Sequence, residues 1–131
     1  MAYNSKEFVT KIRQLLEEIT ALTKAYSPEL PKTGNSVAAV TLLDGETTNL
    51  LNKTRAYSTV RFRVLIRGAK NNDTTTRTLV DSVVNKLNMQ NSLTLSNSYI
   101  EMIYVDSEPQ YIGKDENERI LYNVIFKAII Q

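Results

Sequence analysis

The carboxylates of Asp115, Glu116 and Glu118 fall within a single short segment, close enough in sequence to gather oxygen ligands around a hard cation. Their spacing matches no calcium-binding loop, so a solvated acidic turn is the expectation. Gly113-Lys114 lacks the glycine and the hydroxyl residue that a phosphate-cradling loop places around them. Serine and threonine are plentiful, but the chain contains no histidine to act as their base. No S-x-x-K motif supplies a lysine base either. The lack of histidine removes imidazole acid–base catalysis and Ser–His–Asp triads. The lack of cysteine removes disulfides, thiolate chemistry and the usual zinc sites. These absences predict a protein that is not an enzyme and uses no metal or cofactor.

Charge is distributed more tellingly than it is counted. The 16 basic and 14 acidic residues leave a net charge of only +2, too little to argue for nucleic acid by itself. Yet Lys53, Arg55, Arg61, Arg63, Arg67 and Lys70 form a basic stretch with no acid among them. Glu101, Asp106, Glu108, Asp115, Glu116 and Glu118 form an acidic stretch interrupted only by Lys114. The two stretches could pair across one sheet. They could instead meet between neighbouring subunits, a head-to-tail contact that closes into a ring when the rotation allows. On that second reading Arg61, Arg63, Arg67, Glu108, Asp115 and Glu116 are the candidate interface residues. A third use of the arginines, contact with phosphates, lacks the interleaved aromatic residues of a stacking platform.

Elements must position these groups, and the apolar pattern predicts them. Asn4 caps a helix whose apolar face runs through Phe8, Val9, Ile12, Leu15, Leu16, Ile19 and Leu22, with Glu7 placed as in a capping box. Pro28 and Pro31 end it and open a loop from Lys24 to Ser36. Val37–Leu43 reads as a strand, Asp44-Gly45 as a hairpin turn, and Thr47–Asn52 as a second strand. Ser58–Arg67 alternates: Val60, Phe62, Val64 and Ile66 on one face, Arg61, Arg63 and Arg67 on the other. Asp73 caps a second helix bearing Leu79, Val80, Val83, Val84 and Leu87. Asn88–Asn97 reads as a loop, Tyr99–Val105 as a strand, and Asp106–Glu118 as a long acidic loop. Arg119–Ile130 is a strand apolar on both faces, hence central in its sheet or covered by a partner chain. The order predicts one α+β domain over residues 1–131, a largely antiparallel sheet of four to five strands with two helices on one face. No apolar run is long enough to cross a bilayer, and no signal peptide is evident.

Four features together resemble the tail terminator and minor capsid proteins of long-tailed phages. They are the N-terminal helix with its proline-containing loop; the strand Val60–Gly68 leading into the helix that ends Val83-Val84-Asn85-Lys86-Leu87; the segment Glu108-Pro109-Gln110-Tyr111-Ile112-Gly113-Lys114-Asp115-Glu116; and the closing strand from Arg119 to Ala128. The resemblance implies a structural virion protein forming a hexameric ring that caps the tail tube, stops its growth and meets the head connector. The implied partners are further copies of the chain, the tail tube protein and head connector proteins. No membrane and no sequence-specific nucleic acid is implied, although DNA could pass through such a ring. The implied location is the virion, and the host cytoplasm during assembly. Another head-to-tail joining or minor capsid protein is the neighbouring expectation, and a nucleic-acid-binding accessory protein the more distant one.

Overall fold

In the computed structural model, residues 4–49, 56–96 and 98–131 are described. The elements are α1 (Ser5–Glu17), β1 (Lys24–Tyr26), β2 (Val37–Asn49), β3 (Ala56–Lys70), α2 (Asp73–Leu87), β4 (Asn91–Thr94), β5 (Tyr99–Lys114) and β6 (Arg119–Ile130). The strands form one sheet in the order β1-β2-β3-β6-β5-β4. Every pairing is antiparallel except β1 with β2, which is parallel. The sheet is therefore six-stranded and mixed, larger than the four to five strands expected.

Period-two alternation in β3 and β6 places the core. Val60, Phe62, Val64 and Ile66 pair with Ala128, Phe126, Val124 and Tyr122, and all eight are buried. Both helices lie over this face. Phe8, Ile12, Leu15 and Leu16 come from α1, and Leu79, Val80, Val83 and Leu87 from α2. Phe62 is the hub, stacked on Phe126 at 5.4 Å and edge-on to Phe8 at 5.5 Å. The central place expected of β6 follows from its neighbours, β3 on one side and β5 on the other. Gly68 marks the closest approach of strand to helix. A Cβ there would lie 2.7 Å from the Cβ of Thr76 and 2.8 Å from its Cγ2, with the hydroxyl nearer still.

Several local expectations are corrected. Asp44-Gly45 makes no hairpin turn: β2 runs straight through it, pairing Asp44 with Arg61 and Gly45 with Val60 past a bulge at Leu43. A long partner strand overrides the local turn preference, and the bulge absorbs the extra residue. The strand expected over Thr47–Asn52 is the end of β2 as far as Asn49; residues 50–52, with Lys53 and Arg55, lie outside the described residues. β1 sits inside the expected proline loop. It is too short to show a pattern, and it is held by α1: Ala25 donates its N–H to Glu17 at 3.3 Å and accepts from Arg13 Nε at 3.2 Å. β4 occupies the asparagine-rich segment, paired with residues 99–102 of β5. The supposed acidic loop is strand as far as Lys114, with register shifts between Val105 and Ser107, Ser107 and Gln110, and Tyr111 and Gly113. Pro109 falls in the register shift between Ser107 and Gln110, where the ladder to β6 needs no N–H from it.

The caps differ as well. Asn4 accepts the N–H of Glu7 at 3.1 Å as expected, but the Glu7 carboxylate accepts the N–H of Ser96 rather than completing a capping box. α1 ends at Glu17, well before Pro28; Leu22 still joins the core from the connection. Asn72, not Asp73, caps α2 by accepting the N–H of Thr75 at 3.1 Å. Removing the first cap by Asn4→Ala should cost about 1 kcal/mol, read as a lowered urea midpoint with unchanged slope.

Candidate subunit-contact surface

The six candidate residues do not form one patch. Arg67 is 4% exposed, because residues 31–34 fold over its end of the sheet. Its guanidinium donates to the carbonyls of Pro31 at 2.6 Å, Thr33 at 2.8 Å and Gly34 at 2.9 Å. Arg119, also buried, donates to Lys32 O at 2.7 Å and Gly34 O at 3.0 Å. Asp115 stands between the two arginines, 2.8 Å from Arg119 Nε and 3.9 Å from Arg67 Nε. Its other oxygen accepts the N–H groups of Asn117 at 2.9 Å and Arg119 at 3.0 Å. Burial pushes the Asp115 carboxyl up, but the N–H groups of Arg119 and Asn117 and the Arg119 guanidinium outweigh it and hold the carboxyl below its usual value. Burial, and then the nearby Arg119, lower Arg67, which stays charged as guanidinium does in proteins. Together the three side chains clasp the loop to the sheet.

Arg61 serves a different site. It bridges Asp44 at 3.1 Å and Asp106 at 2.9 Å within its own sheet. Its hydrogen bond to Asp106, and then the nearby Asp44, raise its already high pKa. The group remains open to solvent, and such pairs contribute little. Arg61→Met should therefore barely move the urea midpoint, and adding salt should shrink even that difference.

Arg63 lies on the helix-free face, where its Nε finds no hydrogen-bond partner among the described residues. The same holds for Oδ1 of Asn123. Asn123 pairs with Leu65, two residues along β3 from Arg63, so the two groups share that face. Glu108 and Glu116 are exposed and form no ion pair with any described residue. Thus the geometry joins Arg67 with Asp115, leaves Arg63, Glu108 and Glu116 apart, and occupies Arg61 internally.

Sequence reasoning missed Arg119 and the exposed apolar residues Leu43, Tyr111 and Ile112. The four-residue step from Asp115 to Arg119 was the available signal for the first; nothing in the pattern distinguished Tyr111 and Ile112 from loop residues or marked Leu43 as the exposed residue of its strand. A cleft of about 490 Å³ lies between α2 and the β5–β6 hairpin, lined by Asn71, Asp73, Arg77, Tyr111, Lys114, Ile120 and Tyr122. Its polar groups satisfy one another: the Tyr122 hydroxyl donates to Asp73 at 2.8 Å and accepts from Arg77 at 3.1 Å, and Lys114 donates to Asn71 at 2.8 Å. Among the described residues no acidic group is placed to hold a metal, and no helix is long and apolar enough to cross a membrane.

Comparison with known proteins points one way. The family model described as "Bacteriophage tail terminator protein" matches residues 13–131. A chain in the solved structure titled "Virion of native gene transfer agent (GTA) particle" has a similar fold, with a TM-score of 0.67. The two share 16% identity over 96% of each chain, a likeness of fold alone. No curated protein matches the chain in sequence.

Proposed function

The chain belongs to the bacteriophage tail terminator proteins, and from that membership we propose that copies of it join into a ring capping the tail tube. The ring is non-catalytic and uses no cofactor. It stops addition of tube subunits on one side and offers the head connector a surface on the other. Its place is the virion, reached after assembly in the host cytoplasm. Six copies per ring is the number that the resemblance implies.

The observation that carries this reading is the family match across nearly the whole described fold. The geometry is in keeping with it. A capping ring needs shape and two unlike faces, and no reacting group. One face of the sheet lies under both helices. The other carries Arg63 and Asn123, whose Nε and Oδ1 are buried without a hydrogen-bond partner among the described residues.

Light scattering and negative-stain microscopy, with and without purified tail tubes, test the proposal. A closed oligomer, free or on tube ends, is the expected result. A strict monomer at high concentration that also fails to bind tubes would overturn it.

A further inference from the structure

The sheet has two bare edges. On one side, β1 covers only Val37–Ala39 of β2. The outer side of β2 from Thr41 to Asn49 has no strand against it among the described residues. On the other side, β4 covers β5 only as far as Met102. Gln90 and Met89 bond Ile103, and Asn88 takes the N–H of Val105. Asp106–Lys114 then has no strand on its outer side. Unpaired edges of this length are templates for a further strand.

The two edges suit each other. Each bare segment is nine residues long. β2 and β5 run antiparallel within the sheet, so β5 of one copy meets β2 of the next in the same antiparallel sense. Laid end to end, Thr41–Asn49 against Lys114–Asp106 brings Leu43 opposite Ile112. These are 42% and 49% exposed, among the most exposed large apolar side chains described. Asn49 then abuts Asp106.

We propose that the outer edge of β2 (Thr41–Asn49) in one copy of this chain pairs with the outer edge of β5 (Asp106–Lys114) in the next, carrying one sheet from subunit to subunit. The contact rests on the ring reading for the identity of its occupant, but the pairing does not itself require closure. The bare segments are offset along the strands. Gln110 stands level with Leu65 of β3, whereas Gly45 stands level with Val60. That offset is about 17 Å along the strands, against the four inter-strand spacings, about 19 Å, that separate β2 of one copy from β2 of the next. A ring with no axial rise therefore needs its strands tilted by about 40°, within the range of closed barrels.

The chain lacks cysteine, so Leu43→Cys with Ile112→Cys supplies the only thiols. A short bis-maleimide applied to the double variant, free and bound to tail tubes, should give a ladder of covalent multimers. A mixture of the two single variants should stop at dimers, and Leu43→Cys with Tyr99→Cys should give no ladder. In the unmodified protein, amide hydrogen exchange over Asp106–Lys114 should slow at least tenfold on assembly. Rings without a ladder and without slowed exchange would overturn the edge pairing and leave the ring reading standing. A ladder made only of open chains would uphold the pairing and overturn the ring. Monomers under both conditions, with neither signal, would overturn both.

Discussion

Gly68→Ala should lower stability by about 4 kcal/mol and the melting temperature by about 10–15 °C. Gly68 needs no positive φ; what it lacks room for is a side chain. The added methyl would meet the Cβ of Thr76 at 2.7 Å and its Cγ2 at 2.8 Å, well inside van der Waals contact. Thr76 has little freedom to give way. It is 1% exposed, and its hydroxyl donates to the carbonyl of Asn72 at 2.7 Å in the first turn of α2. Relief requires α2 to lift from β3, opening the layer that holds Leu79, Val80 and Val83. Thr76→Gly in the same chain removes the obstructing carbon at a helix-propensity cost of about 0.3 kcal/mol relative to threonine. The double variant should accordingly recover most of the loss. A coupling of about 2 kcal/mol or more in the double-mutant cycle is expected. Additive effects would show that the strand and helix do not touch at that point.

Asp115→Ala should cost about 3 kcal/mol, because it leaves the buried guanidinium groups of Arg67 and Arg119 without their carboxylate. The figure is set at the low end because the Asp115 side chain keeps 18% exposure. Asp115→Asn should cost less, since its oxygen can still accept the N–H groups of Asn117 and Arg119. The pair of variants also isolates a pH effect. The folded carboxyl is held below its ordinary value of 3.8, so the unfolded chain takes up the proton first. The stability contributed by Asp115 is therefore fully present above pH 3.8 and is lost as pH falls through 3.8 toward the lowered folded value. Urea midpoints measured from neutral pH into acid should converge for wild type and Asp115→Asn across that window. A constant difference would mean that the charge is not what holds the clasp.

Where a buried face imposed a period, the sequence was readable. Phe8, Ile12, Leu15 and Leu16 reveal α1, and the alternations in Val60–Ile66 and Ile120–Ile130 reveal β3 and β6, because each faces the common core. Segments at the margins of that core were not readable. β1 and β4 are too short to show alternation. The outer half of β5 is exposed along most of its length and carries Pro109 with the acids Asp106 and Glu108, the composition of a loop. Its strand geometry comes from β6, which no local pattern records. The candidate site failed for a related reason. Period two places Arg67 beside Arg61 and Arg63, and β3 does so. Only the loop at residues 31–34, remote in sequence, decides that Arg67 is enclosed while Arg61 stays in solvent.

The place of β6 in the middle of the sheet has a consequence for synthesis. β6 is translated after both strands that it joins, β3 and β5. At ribosomal speeds of about 5–20 residues per second, the stretch between Lys70 and Arg119 takes several seconds to emerge. During that interval the inner edge of β3 has no mate, and the two halves of the sheet have no fixed relation to each other. The offset between the outer edges of β2 and β5 comes into being only when β6 is inserted. If copies join through those edges, the geometry of the contact is complete only once β6 is in place.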